Sequence, residues 1–131
     1  MTPLQKLPGY KKNILIERIH TLIKEMIRYP GQLPKINYSQ QISTKLNYDY
    51  TYLANIFSSV QGITIQQFII SSKIKWAQEL LIYNRLNLTE IASKLQYSSV
   101  AHLSYQFKKV TGLTPSCFKA LQQKELLFPV K

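Results

Sequence analysis

Cysteine is almost missing from this chain: Cys117 stands alone. No internal disulfide can form, which suits a reducing cytosol, and a lone thiol beside the apolar Phe118 is expected to be inert core. Acids are scarce as well, six Asp plus Glu against 17 Lys plus Arg, for a net charge of +11. Arginine is limited to Arg18, Arg28 and Arg85, so lysine carries the positive charge. Lysine meets phosphate as a point charge but lacks the planar fork that reads guanine well. No apolar run reaches the length of a membrane span, and Met1 to Lys12 has no apolar segment of a secretory leader. Both point to a cytoplasmic protein without a membrane partner. No segment shows strand alternation between hairpin turns. His20 and His102 fall on different predicted helices with no second ligand at metal spacing. Neither a Ser-His-Asp set nor a glycine-rich phosphate loop is present. The expectation is no metal, no cofactor, no catalytic residue, and hence no enzyme.

What is present is a repeat. Ile42-Ser43-Thr44-Lys45-Leu46-Asn47-Tyr48 returns as Ile91-Ala92-Ser93-Lys94-Leu95-Gln96-Tyr97, an offset of 49. Phe57, Gly62, Thr64 and Phe68 return as Phe107, Gly112, Thr114 and Phe118, an offset of 50, so the second copy has one extra residue at its turn. Two copies of a small unit on a basic chain suggest two copies of one contact. The excess charge favours a polyanion, first nucleic acid and second an anionic membrane surface. Duplex DNA is the polyanion that itself repeats.

Helical spacing predicts an all-α fold of about seven helices. The first runs from about Lys11 to Tyr29, with Ile14, Leu15, Ile19, Leu22, Ile23, Met26 and Ile27 on its apolar face, and Pro30, Gly31 and Pro34 end it. Ser39 is the expected N-cap of a short helix to Leu46. Asn47 and Asp49 bracket a turn before a helix from Tyr50 to Val60, stopped by Gly62. Thr64 caps a helix to about Tyr83, on which Trp76 is expected to pack, and Asn84 and Asn87 mark the next break. Thr89 caps Glu90 to Leu95, and Ser98 or Ser99 opens a helix ending near Val110, before Gly112. Thr114 and Pro115 start the last helix, which is expected to fray beyond Gln123, with Pro129 a barrier to further helix. The chain then divides into a flexible lead-in (1–10), a first helix-turn-helix lobe (11–63), a long linker helix (64–84), a second lobe (85–123) and a flexible tail (124–131).

In a helix-turn-helix, the second helix buries one stripe and leaves the opposite one free for the major groove. Leu53, Ile56, Phe57 and Val60 form the inward stripe of the first copy, leaving Tyr50, Thr51, Tyr52, Ala54, Asn55 and Ser58 exposed or flanking. Leu103, Phe107 and Val110 face inward in the second, leaving Val100, Ala101, Ser104, Tyr105 and Lys108. Neither helix contains Glu, whereas an ordinary solvated face carries Glu and Lys pairs. Lys45, Lys73, Lys75, Lys94, Lys108, Lys109 and Lys119 are the candidates for phosphate contacts. Tyr48 and Tyr97 hold equivalent turn positions and are expected to plug the lobes; Tyr50, Tyr52 and Tyr105 are open between packing and DNA contact.

The run from Leu88 to Ala120 resembles the C-terminal DNA-binding domain of AraC/XylS-type transcription regulators. The resemblance is carried by Ile91-Ala92, Tyr97-Ser98-Ser99, Phe107-Lys108-Lys109, Thr111-Gly112, Thr114-Pro115-Ser116 and Phe118-Lys119. The first copy matches more weakly, through Ile42, Tyr52-Leu53, Ile56-Phe57 and Gly62, and the whole likeness covers about residues 37–121. It implies sequence-specific binding to double-stranded DNA, with two recognition helices in successive major-groove segments. Such segments lie about 34 Å apart, and a linker of roughly 19 residues would span about 28 Å. It carries the base-facing role to Thr51, Ala54 and Asn55 in the first lobe, and to Val100, Ala101, Ser104 and Tyr105 in the second. Asn55 and Tyr105 replace the family's frequent Arg, which removes bidentate guanine readout there. Gln96 replaces the usual glycine before Tyr97 and must accept a turn conformation. The family's effector domain has no counterpart, since residues 1–36 are too few for a sensing barrel, and no small-molecule effector site is visible. The alternative is a helical interaction module docking on RNA polymerase or a partner subunit.

Overall fold

The computed structural model describes residues 8–31, 35–83 and 86–127, with side chains described up to residue 124. The expectations for residues 1–7, Pro34, Asn84 and residues 128–131 lie outside the described residues. Among the described residues every regular element is helical: α1 (Gly9–Arg28), α2 (Tyr38–Leu46), α3 (Tyr50–Gln61), α4 (Ile65–Ile82), α5 (Leu88–Lys94), α6 (Val100–Thr111) and α7 (Pro115–Leu127). The all-α reading holds, with seven helices. The helices form two compact units whose boundary, Ile69–Ile70, falls inside α4.

In the first unit α1, α2 and α3 pack on one another. Ile19, Ile23, Ile42, Leu53, Ile56 and Phe57 are fully buried. The Phe57 and Phe68 rings meet edge to face at 5.6 Å, and His20 stacks on Phe68 at 4.5 Å. In the second unit α6 packs on α5 and α7. Ile91, Leu95, Leu103 and Phe107 are buried there, and Phe107 meets Phe118 at 5.4 Å. The Phe57–Phe68 and Phe107–Phe118 pairs have interplanar angles of 62° and 66°. The sequence repeat is therefore a repeat of packing as well as of residues. Burying a Phe side chain is worth about 1.5–3 kcal/mol, and each edge-to-face pair adds about 0.5–1.5 kcal/mol.

Several details differ from the sequence expectation. Asn37, not Ser39, caps α2: its Oδ1 accepts the Gln40 N–H at 3.1 Å, and the Ser39 hydroxyl donates to the same oxygen. Asn87, not Thr89, caps α5, because only Asn87 stands three residues before Glu90. The Glu90 N–H donates to Asn87 Oδ1 at 2.8 Å and the Asn87 N–H to Glu90 Oε1 at 3.1 Å, a closed capping box. Val60 and Val110, expected inward, are 44% and 45% exposed, since both lie in a last turn that overruns the packed stripe. Ile14 faces out on α1, and Ile16 takes an inward place instead. Cys117, expected in the core, is exposed: it sits in the first turn of α7, where its N–H donates to Thr114 Oγ1. The last helix continues past Gln123 to Leu127.

Candidate nucleic-acid interface

The two turn-plus-helix segments are built by the same local rules. Each first helix ends with a residue at positive φ, Asn47 at 60° and Gln96 at 63°. Asparagine tolerates that region better than most residues because its short amide can bond locally. Glutamine has no such advantage, so Gln96 is held there by its surroundings. The next residue is the tyrosine. The Tyr48 N–H bonds to the Ser43 carbonyl and the Tyr97 N–H to the Ala92 carbonyl, equivalent pairs in the two copies. Tyr97 plugs its turn as expected: it is buried, and its hydroxyl donates to Gln106 Oε1 at 2.7 Å. Tyr48 is half-buried and stacks on Tyr52 with ring centroids 5.5 Å apart.

The second helices then start on equivalent caps. Asp49 Oδ2 accepts the Tyr52 N–H at 3.4 Å, and Ser99 Oγ accepts the His102 N–H at 3.1 Å. Both helices stop at a left-handed glycine, Gly62 at φ 76° and Gly112 at φ 83°. Start, buried stripe and stop coincide, so α3 and α6 present equivalent outward stripes. The extra residue of the second copy, Ser98, is absorbed in the turn, where its hydroxyl lies 3.5 Å from His102 Nδ1.

On α3, Thr51 and Asn55 are exposed and Ala54 is half-exposed. On α6, Ala101 and Tyr105 are exposed, Tyr105 at 65%, while Val100 and Ser104 are half-exposed. Tyr52, left open between packing and DNA contact by its flanking position, is core at 7% exposure, its hydroxyl oxygen buried with no partner among the described residues. Helix rotation explains this: Tyr52 lies one turn from Ile56, on the flank that α3 buries. Tyr50 is half-buried, and burial pushes its phenol above the usual tyrosine range, keeping it a neutral donor.

The candidate phosphate-binding lysines are unevenly distributed. The first unit offers Lys45, exposed in the last turn of α2, and α3 carries no charged side chain. In the second unit Lys75, Lys94, Lys108 and Lys109 are exposed, and Lys119 is half-buried. Lys73 is also half-buried, its ammonium 5.1 Å from the centroid of the Tyr97 ring. That tertiary contact has no signal in local spacing. Lys109 and Tyr105 stand four residues apart on α6, and the ammonium lies 5.9 Å from the ring centroid. Here the spacing was legible, because i and i+4 side chains are neighbours on a helix. Among the described residues no group of three His, Cys, Asp or Glu is placed to hold a metal ion, and no helix is long and apolar enough to cross a membrane.

Residues 42–120 match the family model described as a helix-turn-helix domain. The Msm operon regulatory protein of Streptococcus mutans is 31% identical over 99 residues, 70% of this chain and 36% of that protein. Among solved structures, an AraC-type transcriptional regulator from Chromobacterium violaceum superposes with a TM-score of 0.75 at 16% identity, covering 93% of this chain and 100% of the other. The DNA-binding domain of AdpA, a global transcriptional factor solved in complex with a target DNA, gives 0.70 at 16% identity, covering 88% and 97%. The chain belongs to the AraC/XylS-type helix-turn-helix family. It spans between 11% and 40% of the length of the curated relatives it matches. Within this AraC/XylS-type domain, Gln96 stands where the family usually has glycine, and the positive φ shows that the turn is kept despite the substitution.

Proposed function

We propose that this domain is the DNA-reading part of a transcription regulator. It binds double-stranded DNA by laying α3 and α6 into neighbouring major-groove segments, with α4 as the connection between two reading lobes. The observation that carries this reading is the matched pair of second helices, with side-chain caps at equivalent positions (Asp49 and Ser99), the same buried Leu–Phe stripe and the same glycine stop. Both outward stripes are free of acid, as a surface apposed to phosphates requires. The DNA-binding domain of AdpA, which shares the fold, was solved in complex with a target DNA, and this supports DNA as the partner.

The assigned base-facing residues are Thr51, Ala54 and Asn55 on α3, and Val100, Ala101, Ser104 and Tyr105 on α6. In a recognition helix the N-terminal residues contact base edges. Lys108 and Lys109, near the C-terminal end of α6, therefore fall to the groove rim and its phosphates. Lys45, Lys75, Lys94 and Lys119 join them, and Lys73 does so once its ammonium leaves the Tyr97 face. These contacts position the domain, and the stripes supply the preference for sequence.

Duplex titration of the full chain at two salt concentrations tests this reading. The expected result is binding that weakens steeply with salt, the log–log slope rising by about 0.9 for each phosphate neutralised. A footprint with two protected segments about one helical turn apart is expected with it. Salt-insensitive or absent duplex binding would favour the docking alternative, a helical module for RNA polymerase or a partner subunit.

A further inference from the structure

The two reading stripes have a chemistry of their own. Neither α3 nor α6 contains arginine, and neither contains an acid. The base-facing groups are an amide, Asn55, five short or apolar contact surfaces, Thr51, Ala54, Val100, Ala101 and the Tyr105 ring, and the Ser104 hydroxyl, which discriminates little between bases. In the major groove adenine offers an acceptor and a donor that an amide pairs with in bidentate fashion. Thymine offers a methyl group that Ala, a Thr methyl or an aromatic ring covers. Guanine wants a fork of donors and cytosine wants an acceptor with charge; neither helix offers an arginine or a carboxylate, and the lysines of α6, Lys108 and Lys109, stand in its last turn, away from the N-terminal residues that contact base edges. Lys109 does not fill the gap: it stands in the last turn of α6, the part of the helix assigned to phosphates, with its ammonium 5.9 Å from the Tyr105 ring centroid. His102 is turned onto the Tyr97 ring, edge to face with centroids 5.0 Å apart.

Resting on the proposed DNA-binding role, we infer that the domain selects A·T pairs at its major-groove contacts. Asn55 reads adenine in the first segment, and Val100, Ala101 and Tyr105 form an apolar surface for thymine methyls in the second. Lys109, one turn on, has its ammonium 5.9 Å from the Tyr105 ring centroid, a contact that limits the ring's freedom while leaving it 65% exposed. The specificity is thus of a methyl-contact kind, and it requires no guanine anywhere under the two helices.

The test is selection of preferred sites from random duplex with the full chain, followed by replacement of each contacted thymine by uracil. Uracil removes the C5 methyl and leaves the pairing edge untouched. The expected result is A·T enrichment in both protected segments and an affinity loss of about fourfold per methyl removed in the second, the worth of one buried methyl-sized group. Tyr105→Ala should erase the thymine–uracil difference at one position and keep it at the others. Asn55→Ala should lose about tenfold on adenine in the first segment alone. Circular dichroism of both variants checks that the fold is kept; each site lies on an exposed stripe. Salt-sensitive binding to sites rich in G·C, or affinity unchanged by uracil throughout, overturns this inference and leaves the DNA-binding role intact. Failure to bind any duplex overturns both.

Discussion

Gln96 is the residue at which local preference and fold disagree. Its φ of 63° costs about 1–2 kcal/mol for a side chain with a Cβ, and glycine there would lose about 0.5–1 kcal/mol of that advantage to chain entropy. Gln96→Gly is therefore expected to raise stability by about 0.5–1 kcal/mol, read as a higher midpoint in urea. The opposite substitution is expected at the helix stops. A Cβ on Gly62 or Gly112 would meet nothing within 4 Å, so Gly62→Ala and Gly112→Ala should each lose about 1 kcal/mol from backbone strain alone. Tyr38 gives a residue-scale pH effect. Burial pushes its phenol from 10.0 up to about 12. The folded protein then holds this proton longer than the unfolded chain, so the contribution is whole below pH 10 and declines as pH rises from 10 towards about 12. Tyr38→Phe should flatten the alkaline limb of a stability–pH curve by this contribution.

At the scale of the element, the helices begin where short polar side chains can take up orphan N–H groups. Thr64 shows the reciprocal form clearly: Gln67 N–H donates to its Oγ1 at 3.0 Å, while its own N–H donates to Gln67 Oε1 at 2.9 Å. A cap of this kind is worth about 1 kcal/mol. Asn87→Ala and Ser99→Ala should therefore each lower stability by about 1 kcal/mol, and Thr89→Ala and Ser39→Ala by much less. Denaturant midpoints of the four variants rank the caps. The apolar spacing of α1, α3 and α6 was legible because Leu and Ile recur at helical intervals. Which of two nearby polar residues caps α2 was not, since Asn37 and Ser39 satisfy propensity equally and are separated only by the reach of Oδ1; at α5 the three-residue spacing from Asn87 to Glu90 did carry the signal, and Thr89 was the weaker choice. The outward stripes were legible in part: Thr51, Asn55, Ala101 and Tyr105 could be placed by rotation from the buried Phe of each helix. Tyr52 stayed open between packing and DNA contact, because an aromatic ring at the edge of a stripe can turn either way, and the fold turns it inward.

At the scale of the whole molecule, charge decides how the chain meets its partner. A net +11 draws it to any duplex, and of the seven candidate phosphate lysines all but Lys45 fall in the second unit, where the last turn of α6 carries Lys108 and Lys109 while α3 carries no lysine. The second lobe is expected to supply most of the salt-sensitive grip. Lys108→Ala should weaken binding to all sequences alike and reduce the salt slope by about 1, measured by titrating one preferred and one mixed duplex across salt concentrations. Lys45→Ala tests the first lobe in the same assay and should lower the slope by a similar single step.

The sequence by itself determined that the chain is helical, that it contains one unit twice, and that the repeated helices carry a family signature. Each of these follows from periodicity and residue identity, which are properties of neighbours along the chain. Tertiary structure alone decided that Phe57 meets Phe68 and Phe107 meets Phe118 at one geometry, that Lys73 rests on the Tyr97 ring, that Tyr52 goes inside, and that Cys117 stays out. Those outcomes depend on which surfaces meet when helices pack, and burial is shared among residues far apart in sequence, so no local window contains the information.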